Sequence, residues 1–551
     1  VPDQLRERLL NELTGPGGDF EMTDAVVRGI PMRVYAKPLG TLRDAALLSA
    51  FHGDKDFLLY EDYRCTFAEH HRLVAGLARA LREEYGLTSG DRVAIAMRNF
   101  PEWVPIFWAI EVAGLVAVPL NAWWSADELR YGMTDSGSKL VFADPERTAL
   151  LGRDVPIVEV RGGAPGPGVR AWSDLVAGLP DDGRPPEVDI DADDDATILY
   201  TSGTTGRPKG AIGTHRNHVT NLLNTVVNRK IGMAVTNGGT FPEPGPDDPQ
   251  PGALLTFPMF HIAGITVLCF ATLAGAKLAT MYRWDRAQAE KLISEHGLTS
   301  AAGVPTVMRD LVENSDAVRG LDGVTMGGAP IPPDLVERIG GLGSSASSGY
   351  GLTETTSTVV GNSGEGYQEH SHSVGQPMPG AEIRVVDPAT GDDVPDGEIG
   401  ELWFRGPNVV RGYWNLPEAT AEAFTDGWFH TGDLGYVQDE WVYVVDRLKD
   451  VVIRGGENVY CAEVEAVLHE HPAIADVAVI GLPHRTLGEE VCAVVNLKTP
   501  ADVEELRTHV RERLAGFKVP THVVVREDPL PRTATGKVLK RRLREQIVQQ
   551  G

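Results

Sequence analysis

Residues 199–215, Leu-Tyr-Thr-Ser-Gly-Thr-Thr-Gly-Arg-Pro-Lys-Gly-Ala-Ile-Gly-Thr-His, constrain this chain more than any other stretch. They pack four glycines, four threonines, a serine and a lysine behind the short apolar run Ala196 to Leu199. The run reads as a buried strand feeding a loop. Glycine lets the loop backbone take positive φ and approach a ligand closely. Backbone N–H groups around Gly203, with the hydroxyls of Thr201, Ser202, Thr204 and Thr205, then form a concave anion site, and Lys209 adds a point charge. A plain polar turn has no need of so many hydroxyls and a lysine at one strand end, so a phosphate ligand is the better reading. The loop is not a P-loop, in which Gly-Lys-Ser/Thr runs straight into a helix. Here Pro208 separates Gly206-Arg207 from Lys209.

The surroundings of that loop predict an α/β fold. Phe67 to Tyr85 reads as a helix with Leu73, Leu77 and Leu81 on one face. Val93 to Met97 reads as a buried strand, Pro101 as a helix start, Val116 to Leu120 as a strand, Ala126 to Thr134 as a helix and Leu140 to Ala143 as a strand. Such alternation argues for parallel sheets flanked by helices. Gly162 to Gly168 and the Pro/Gly/Asp-rich stretch Asn237 to Pro251 read as loops. Near Asp446 the composition shifts to a basic, glycine-punctuated run ending at Gly455-Gly456. Beyond it come a β-segment, a helix, two strands (Val477–Ile480 and Val491–Leu497), a helix (Val503–Leu514), a strand and a basic tail. That is enough for a small α+β domain of its own.

At 551 residues the chain exceeds one ordinary domain. A formal net charge of −26 argues against nucleic acid or an anionic membrane as main partner, so phosphate sites must be locally basic. The four cysteines, Cys65, Cys269, Cys461 and Cys492, are scattered without CxxC or Cys/His spacing, which supports neither a disulfide framework nor a zinc site and fits a reducing cytoplasm. The N-terminus carries charge within its first eight residues and lacks an apolar signal core. The longest apolar run, Ile262 to Ala276, is too short to span a bilayer, so no integral membrane segment is expected.

Four further segments carry chemistry. In Gly349-Tyr-Gly-Leu-Thr-Glu-Thr355 an aromatic beside glycines can stack on a purine, and a carboxylate can hold Mg²⁺ against phosphates. In Thr325-Met-Gly-Gly-Ala-Pro330 the glycines let a flat base lie against the backbone. In Trp428-Phe-His-Thr-Gly-Asp-Leu-Gly435 the acceptor-only Asp433 can take hydrogen bonds from vicinal ribose hydroxyls. Pro531-Arg-Thr-Ala-Thr-Gly-Lys-Val538 places Lys537 after a glycine near the chain end.

Taken in this order, from roughly Tyr60 to Gln546, these segments resemble the adenylate-forming superfamily, and among its members a bacterial fatty-acyl-CoA or aryl-CoA ligase. The resemblance implies a large N-terminal domain of parallel-rich sheets flanked by helices with a β-barrel-like subdomain, 1–446, and a small mobile α+β lid, 447–551. It implies ATP, Mg²⁺ and CoA as partners of a small carboxylic acid. Gly328, Ala329 and Pro330 would line the adenine. Tyr350, between Gly349 and Gly351, would pack on it. Thr353 would contact the α-phosphate, Glu354 would bind Mg²⁺, and Arg447 would assist Asp433 at the ribose. Lys449 would be the hinge about which Gly455 and Gly456 enter the pantetheine channel. Lys537 would bridge the acid and the α-phosphate, where charge builds in the transition state.

Phe257-Pro-Met-Phe-His-Ile-Ala-Gly264 resembles the acyl-pocket segment, which would set Phe260 and His261 beside the acid. His261 reads equally as a satisfied core histidine. Amino-acid-activating relatives carry an acid in this segment, and Met259, Phe260 and Ile262 offer none. The small residues Ala263, Gly264, Val304, Gly327 and Gly328 leave volume for a medium or long acyl chain, or a bulky cyclic or aromatic acid. The expected reaction joins acid, ATP and CoA into acyl-CoA, AMP and pyrophosphate. Rivals are a fatty-acyl-AMP ligase loading an acyl carrier protein, a luciferase-like adenylate oxidase and a non-catalytic nucleotide-binding protein. The sequence decides neither a homodimer nor acetylation of Lys537.

Overall fold

The computed structural model describes residues 2–37, 39–163, 166–201, 207–242, 245, 248–533 and 536–550. The chain divides into two compact units, 1–382 with 404–429 and 383–403 with 430–551. The second unit takes in residues 383–403 and 430–446 beside 447–551, the span expected for the small domain.

The first unit contains two large sheets among its described residues. In one, Arg92–Ala96 lies between Val116–Pro119 and Leu140–Ala143, all parallel. Asp195–Thr201 joins parallel beside Val116–Pro119, and Lys209–Thr214 closes that edge antiparallel. In the other, the parallel strands run in the order Ser345–Leu352, Gly323–Gly327, Ser300–Gly303, Gly252–Leu255, Lys277–Thr280 and Asp56–Tyr60. Val93 to Ala96 are all buried, as strands covered on both faces must be.

The helix Trp103–Val112 is buried at every position, which suits a helix apolar all round. It shares one core with Val93, Ile95 and Ala117 of the first sheet and with Leu58, Leu255 and Leu278 of the second. Regular helix begins two residues after the expected Pro101, with Glu102 as N-cap. The helix Phe67–Glu83 starts where Thr66 and Glu69 form a capping box. Ala126–Ser136 is opened by Ser125 with Glu128 and stopped by left-handed Gly137. Leu77 and Leu81 are buried, as the helical spacing predicts.

In the second unit, residues 383–386, 400–403, 430–438 and 441–447 belong to one sheet, in which the last two pair antiparallel. The rest is α+β. Val452–Arg454, Glu457–Val459, Ile474–His484, Gly488–Leu497 and His522–Val525 make a sheet. Cys461–His469 and Val503–Arg511 are helices, and Lys540–Gln550 is the last one. Val464 and Leu468 of the first helix, Val479, Val491, Ala493 and Val495 of the sheet, and Leu506 of the second helix share its core. Among the described residues, no helix is long and apolar enough to cross a membrane.

Candidate active site

In the first unit the expected site residues gather at the carboxyl ends of neighbouring parallel strands, where open α/β sheets bind their ligands. Thr201 ends one such strand and lies opposite Lys209, and its hydroxyl donates to the Lys209 carbonyl at 3.4 Å. Ser202, Gly203, Thr204 and Thr205 lie outside the described residues. The exit of the loop is tied to the helix Ala126–Ser136. There the Arg207 guanidinium lies 5.2 Å from the Tyr131 ring, and the Tyr131 hydroxyl donates to the Pro208 carbonyl at 3.2 Å.

In the second sheet the three neighbouring strands 345–352, 323–327 and 300–303 deliver three sets of candidates. Gly349, Tyr350, Gly351, Thr353 and Glu354 end the first, Gly327, Gly328, Ala329 and Pro330 the second, and Val304 follows the third. The Tyr350 ring lies 6.0 Å from Phe404. At Gly351 an added Cβ would stand 1.7 Å from the Ser357 carbonyl oxygen, so the antiparallel return of the chain itself requires glycine there.

Glu354 is 8% exposed, and the Tyr413 hydroxyl donates to its Oε1 at 2.7 Å. Burial and the Glu354 charge push the Tyr413 phenol well above its ordinary range, so it stays a donor. The Lys209 ammonium lies 4.9 Å from the centre of the same ring. Tyr413 thus links the phosphate-loop lysine to the expected metal ligand. No local pattern marks it, because these contacts reach 59 residues back along the chain to Glu354 and further still to Lys209.

A hydrogen bond to a charged group is worth about 1.5–3 kcal/mol. Tyr413→Phe, which keeps the ring under Lys209, should therefore raise the Mg²⁺ concentration for half-maximal pyrophosphate release roughly tenfold. Some thermal stability should be lost as well, since a buried carboxylate loses a donor; an unchanged Mg²⁺ dependence would remove Tyr413 from the site.

Residues 257–264 follow the strand Gly252–Leu255. Asn99 pins this segment: its Nδ2 donates to the Phe257 carbonyl at 2.8 Å and its Oδ1 accepts the Met259 N–H at 2.8 Å. Asn99 was not among the candidates, since its partners are distant in sequence. Phe260 meets Trp123 edge to face with ring centres 6.0 Å apart. His261 caps the helix Ile262–Ala274, its Nδ1 accepting the Ala263 N–H at 3.3 Å. Burial lowers its pKa to about 4, so the ring is neutral at pH 7 with the proton on Nε2. At Gly264 a Cβ would lie 2.4 Å from the Pro258 carbonyl oxygen, so the tight turn demands this glycine whatever the pocket needs.

The second unit brings together three further candidates. Asp433 and Arg447 face each other on a hairpin, and Arg447 Nε donates to Asp433 Oδ1 at 3.1 Å. Lys537 lies in electrostatic range of both. Its pKa falls to about 8, first through burial and next through the Arg447 charge, with Asp433 opposing. Lys449 is exposed in the turn after Arg447. Gly455 and Gly456, with φ of 63° and 92°, form the two-residue turn between Val452–Arg454 and Glu457–Val459. Positive φ at both centres is the type I′ hairpin requirement.

A single buried carboxylate suits Mg²⁺, which takes one or two carboxylates and completes its shell with phosphate oxygens and water. Among the described residues no group of three or more His, Cys, Asp or Glu could hold a metal by itself. Glu354 therefore fits as the protein's share of a Mg²⁺–phosphate site.

The candidates for phosphate, purine and metal at strand ends of the first unit, and separately the Asp433–Arg447 pair of the second, are the residue types that an ATP-consuming ligase requires. The AMP-binding enzyme family matches residues 46–414, and the AMP-binding enzyme C-terminal domain matches 463–537. The chain belongs to the AMP-binding enzyme family. It is 37% identical over 498 residues to feruloyl-CoA synthase from Amycolatopsis sp., covering 88% of this chain and 94% of that protein. It is 35% identical over 494 residues to 2-succinylbenzoate–CoA ligase from Geobacillus kaustophilus, covering 88% and 93%. The solved o-succinylbenzoate CoA synthetase of Bacillus subtilis, in complex with its acyl-adenylate intermediate, superposes with a TM-score of 0.78 at 30% identity, covering 92% of this chain and 98% of that one. The chain is accordingly an AMP-forming acid–thiol ligase that uses ATP, Mg²⁺ and CoA.

Proposed function

We propose that this ligase activates an aromatic carboxylic acid, of the cinnamate or benzoate type, as its CoA thioester. The observation that carries the reading is the segment 257–264, pinned by Asn99 and presenting Phe260 against Trp123 with no acidic residue to pair an ammonium. An aromatic edge-to-face wall favours a planar ring over a saturated chain. The relatives named for feruloyl and succinylbenzoyl groups support the same class. The free, buried state of all four cysteines agrees with a reducing cytoplasm as its compartment.

In the first half-reaction the substrate carboxylate attacks the α-phosphate of ATP and pyrophosphate leaves. We assign Lys209 and the loop from Thr201 to the β- and γ-phosphates, Thr353 to the α-phosphate, and Tyr350 with Gly328–Pro330 to the adenine. Asp433 and Arg447 take the ribose. His261, neutral, offers an N–H to the acid. Glu354, oriented by Tyr413, would hold Mg²⁺, which when bound offsets the charge of the phosphates. The Lys537 ammonium stabilises the charge building between acid and α-phosphate.

In the second half-reaction the CoA thiol attacks the acyl carbon and AMP leaves. We assign the change between the two to rotation of residues 447–551 about Lys449, which withdraws Lys537 and brings the Gly455–Gly456 turn to the pantetheine.

The test is pyrophosphate release over a panel of acids with ATP, Mg²⁺ and CoA, followed by mass spectrometry of the products. Ferulate, 4-coumarate, benzoate, o-succinylbenzoate, malonate, octanoate and acetate make a sufficient panel. Acyl-CoA formed fastest from a ring-bearing acid is the expected result. Preference for octanoate or acetate in direct competition would overturn the aromatic assignment.

A further inference from the structure

We propose that Arg532 and Lys540 are positioning residues which fix the aim of Lys537 by tying the chain on either side of it to the strand Ile474–His484, Arg532 directly through Asp476 and Lys540 through Glu465 of the helix Cys461–His469. The proposal rests on the assignment of Lys537 to the first half-reaction. The described residues on the two sides of the Lys537 turn are tied together. Thr533 N–H donates to the Lys537 carbonyl at 2.7 Å, Gly536 N–H to the Thr533 carbonyl at 2.9 Å and Lys537 N–H to the Thr533 hydroxyl at 3.1 Å. Arg532 pairs with Val538 as an antiparallel bridge.

On one side the Arg532 guanidinium takes both oxygens of Asp476, at 2.7 and 2.6 Å, and also the Gly536 carbonyl inside the turn. Asp476 lies in the strand Ile474–His484, and its Oδ1 accepts the Val477 N–H at 3.0 Å. On the other side the Lys540 ammonium lies 2.8 Å from Glu465 Oε1. That same oxygen accepts the N–H of Val479, on the same strand, at 2.7 Å. The four charged side chains are 18–31% exposed, so solvent screens these pairs only in part.

Between the staples the Lys537 ammonium makes no hydrogen bond and no ion pair among the described residues, so the turn sets where it points within the field of Asp433 and Arg447. Arg532 Nη2 serves both Asp476 oxygens while Nη1 serves the Gly536 carbonyl, so one planar guanidinium ties strand to turn, which a single ammonium cannot do with the same geometry. Displacing a positioned group by about 1 Å costs on the order of 100-fold in rate.

The experiment compares Arg532→Met, Asp476→Asn, Arg532→Lys and Lys540→Met, the last expected to behave as Arg532→Met does, in the full chain, each alone and with Lys537→Ala. Ferulate, or the panel acid turned over fastest, is the probe. Adenylation is read as ATP–pyrophosphate exchange, and the second step as thioester formation from the synthetic adenylate of the same acid and CoA. We expect Arg532→Met and Asp476→Asn each to lower kcat for exchange roughly 10- to 100-fold, with KM for ATP within about threefold and the second step unchanged. Arg532→Lys should recover part of the loss. In the Lys537→Ala background Arg532→Met should cost nothing more, because both act through one group. A further loss in that background, or equal loss in both steps, would overturn the staple. Unimpaired exchange in Lys537→Ala alone would instead overturn the assignment of Lys537, and the staple with it.

Discussion

Replacing Lys537 with alanine should lower acyl-adenylate formation by about 100- to 1000-fold while leaving thioester formation from supplied adenylate within about twofold of the parent. The size follows from the loss of one pre-placed donor aimed at developing charge. The selectivity follows from the rotation assigned above, which withdraws Lys537 before the thiol attacks and AMP leaves. Equal losses in both steps would remove Lys537 from the chemistry.

The pH profile supplies a second reading of the same residue. Burial and Arg447 hold the Lys537 pKa at about 8 rather than its ordinary 10.5. A cation with a lowered pKa carries its charge below that value and loses it above. The kcat/KM for pyrophosphate release should therefore fall as pH rises through about 8. Lys537→Arg, slower but charged throughout, should lack that alkaline limb. An unchanged limb in the arginine variant would assign it to another group.

Replacing Lys449 with proline should leave adenylation within about threefold and lower thioester formation by at least about 100-fold. In the conformation described, Leu448 N–H donates to the Gly432 carbonyl at 2.8 Å and Asp450 N–H to the Arg447 carbonyl at 2.9 Å, while the Lys449 N–H enters no backbone hydrogen bond among the described residues. Proline there removes no such bond. It fixes φ near −65° and restricts Leu448, which opposes the dihedral change that a rotation needs. Separate rates for pyrophosphate release and for thioester formation decide it. If both steps fell alike, the rotation about Lys449 would have to be abandoned.

Much of the fold was legible because its signals are local. A run such as Val93 to Ala96, apolar without alternation, specifies a strand covered on both faces wherever it sits. Thr66 with Glu69 and Ser125 with Glu128 start helices through contacts three residues apart. The candidate residues at the strand ends were legible for a related reason: glycines, small hydroxyls and one charge in a row leave a phosphate-binding signature in seven or eight positions. The same local view had a cost at Gly264. Read as a widening of the pocket, it is a glycine because the Pro258 carbonyl stands where a Cβ would be.

The parallel α/β class, and the candidates Thr201, Lys209, Glu354, Asp433 and Lys537, can be read from the residues in order, because each rests on neighbours along the chain. Only the tertiary structure decided how those groups are aimed. Tyr413 reaches Glu354 and Lys209, Asn99 holds Phe257 and Met259, and Arg532 reaches Asp476. These contacts arise from which strands lie side by side and from turns that fold back across tens to hundreds of residues. A lone tyrosine, asparagine or arginine carries no periodicity that would announce such a partner, so its role exists only once the sheets have brought the two ends of the contact together.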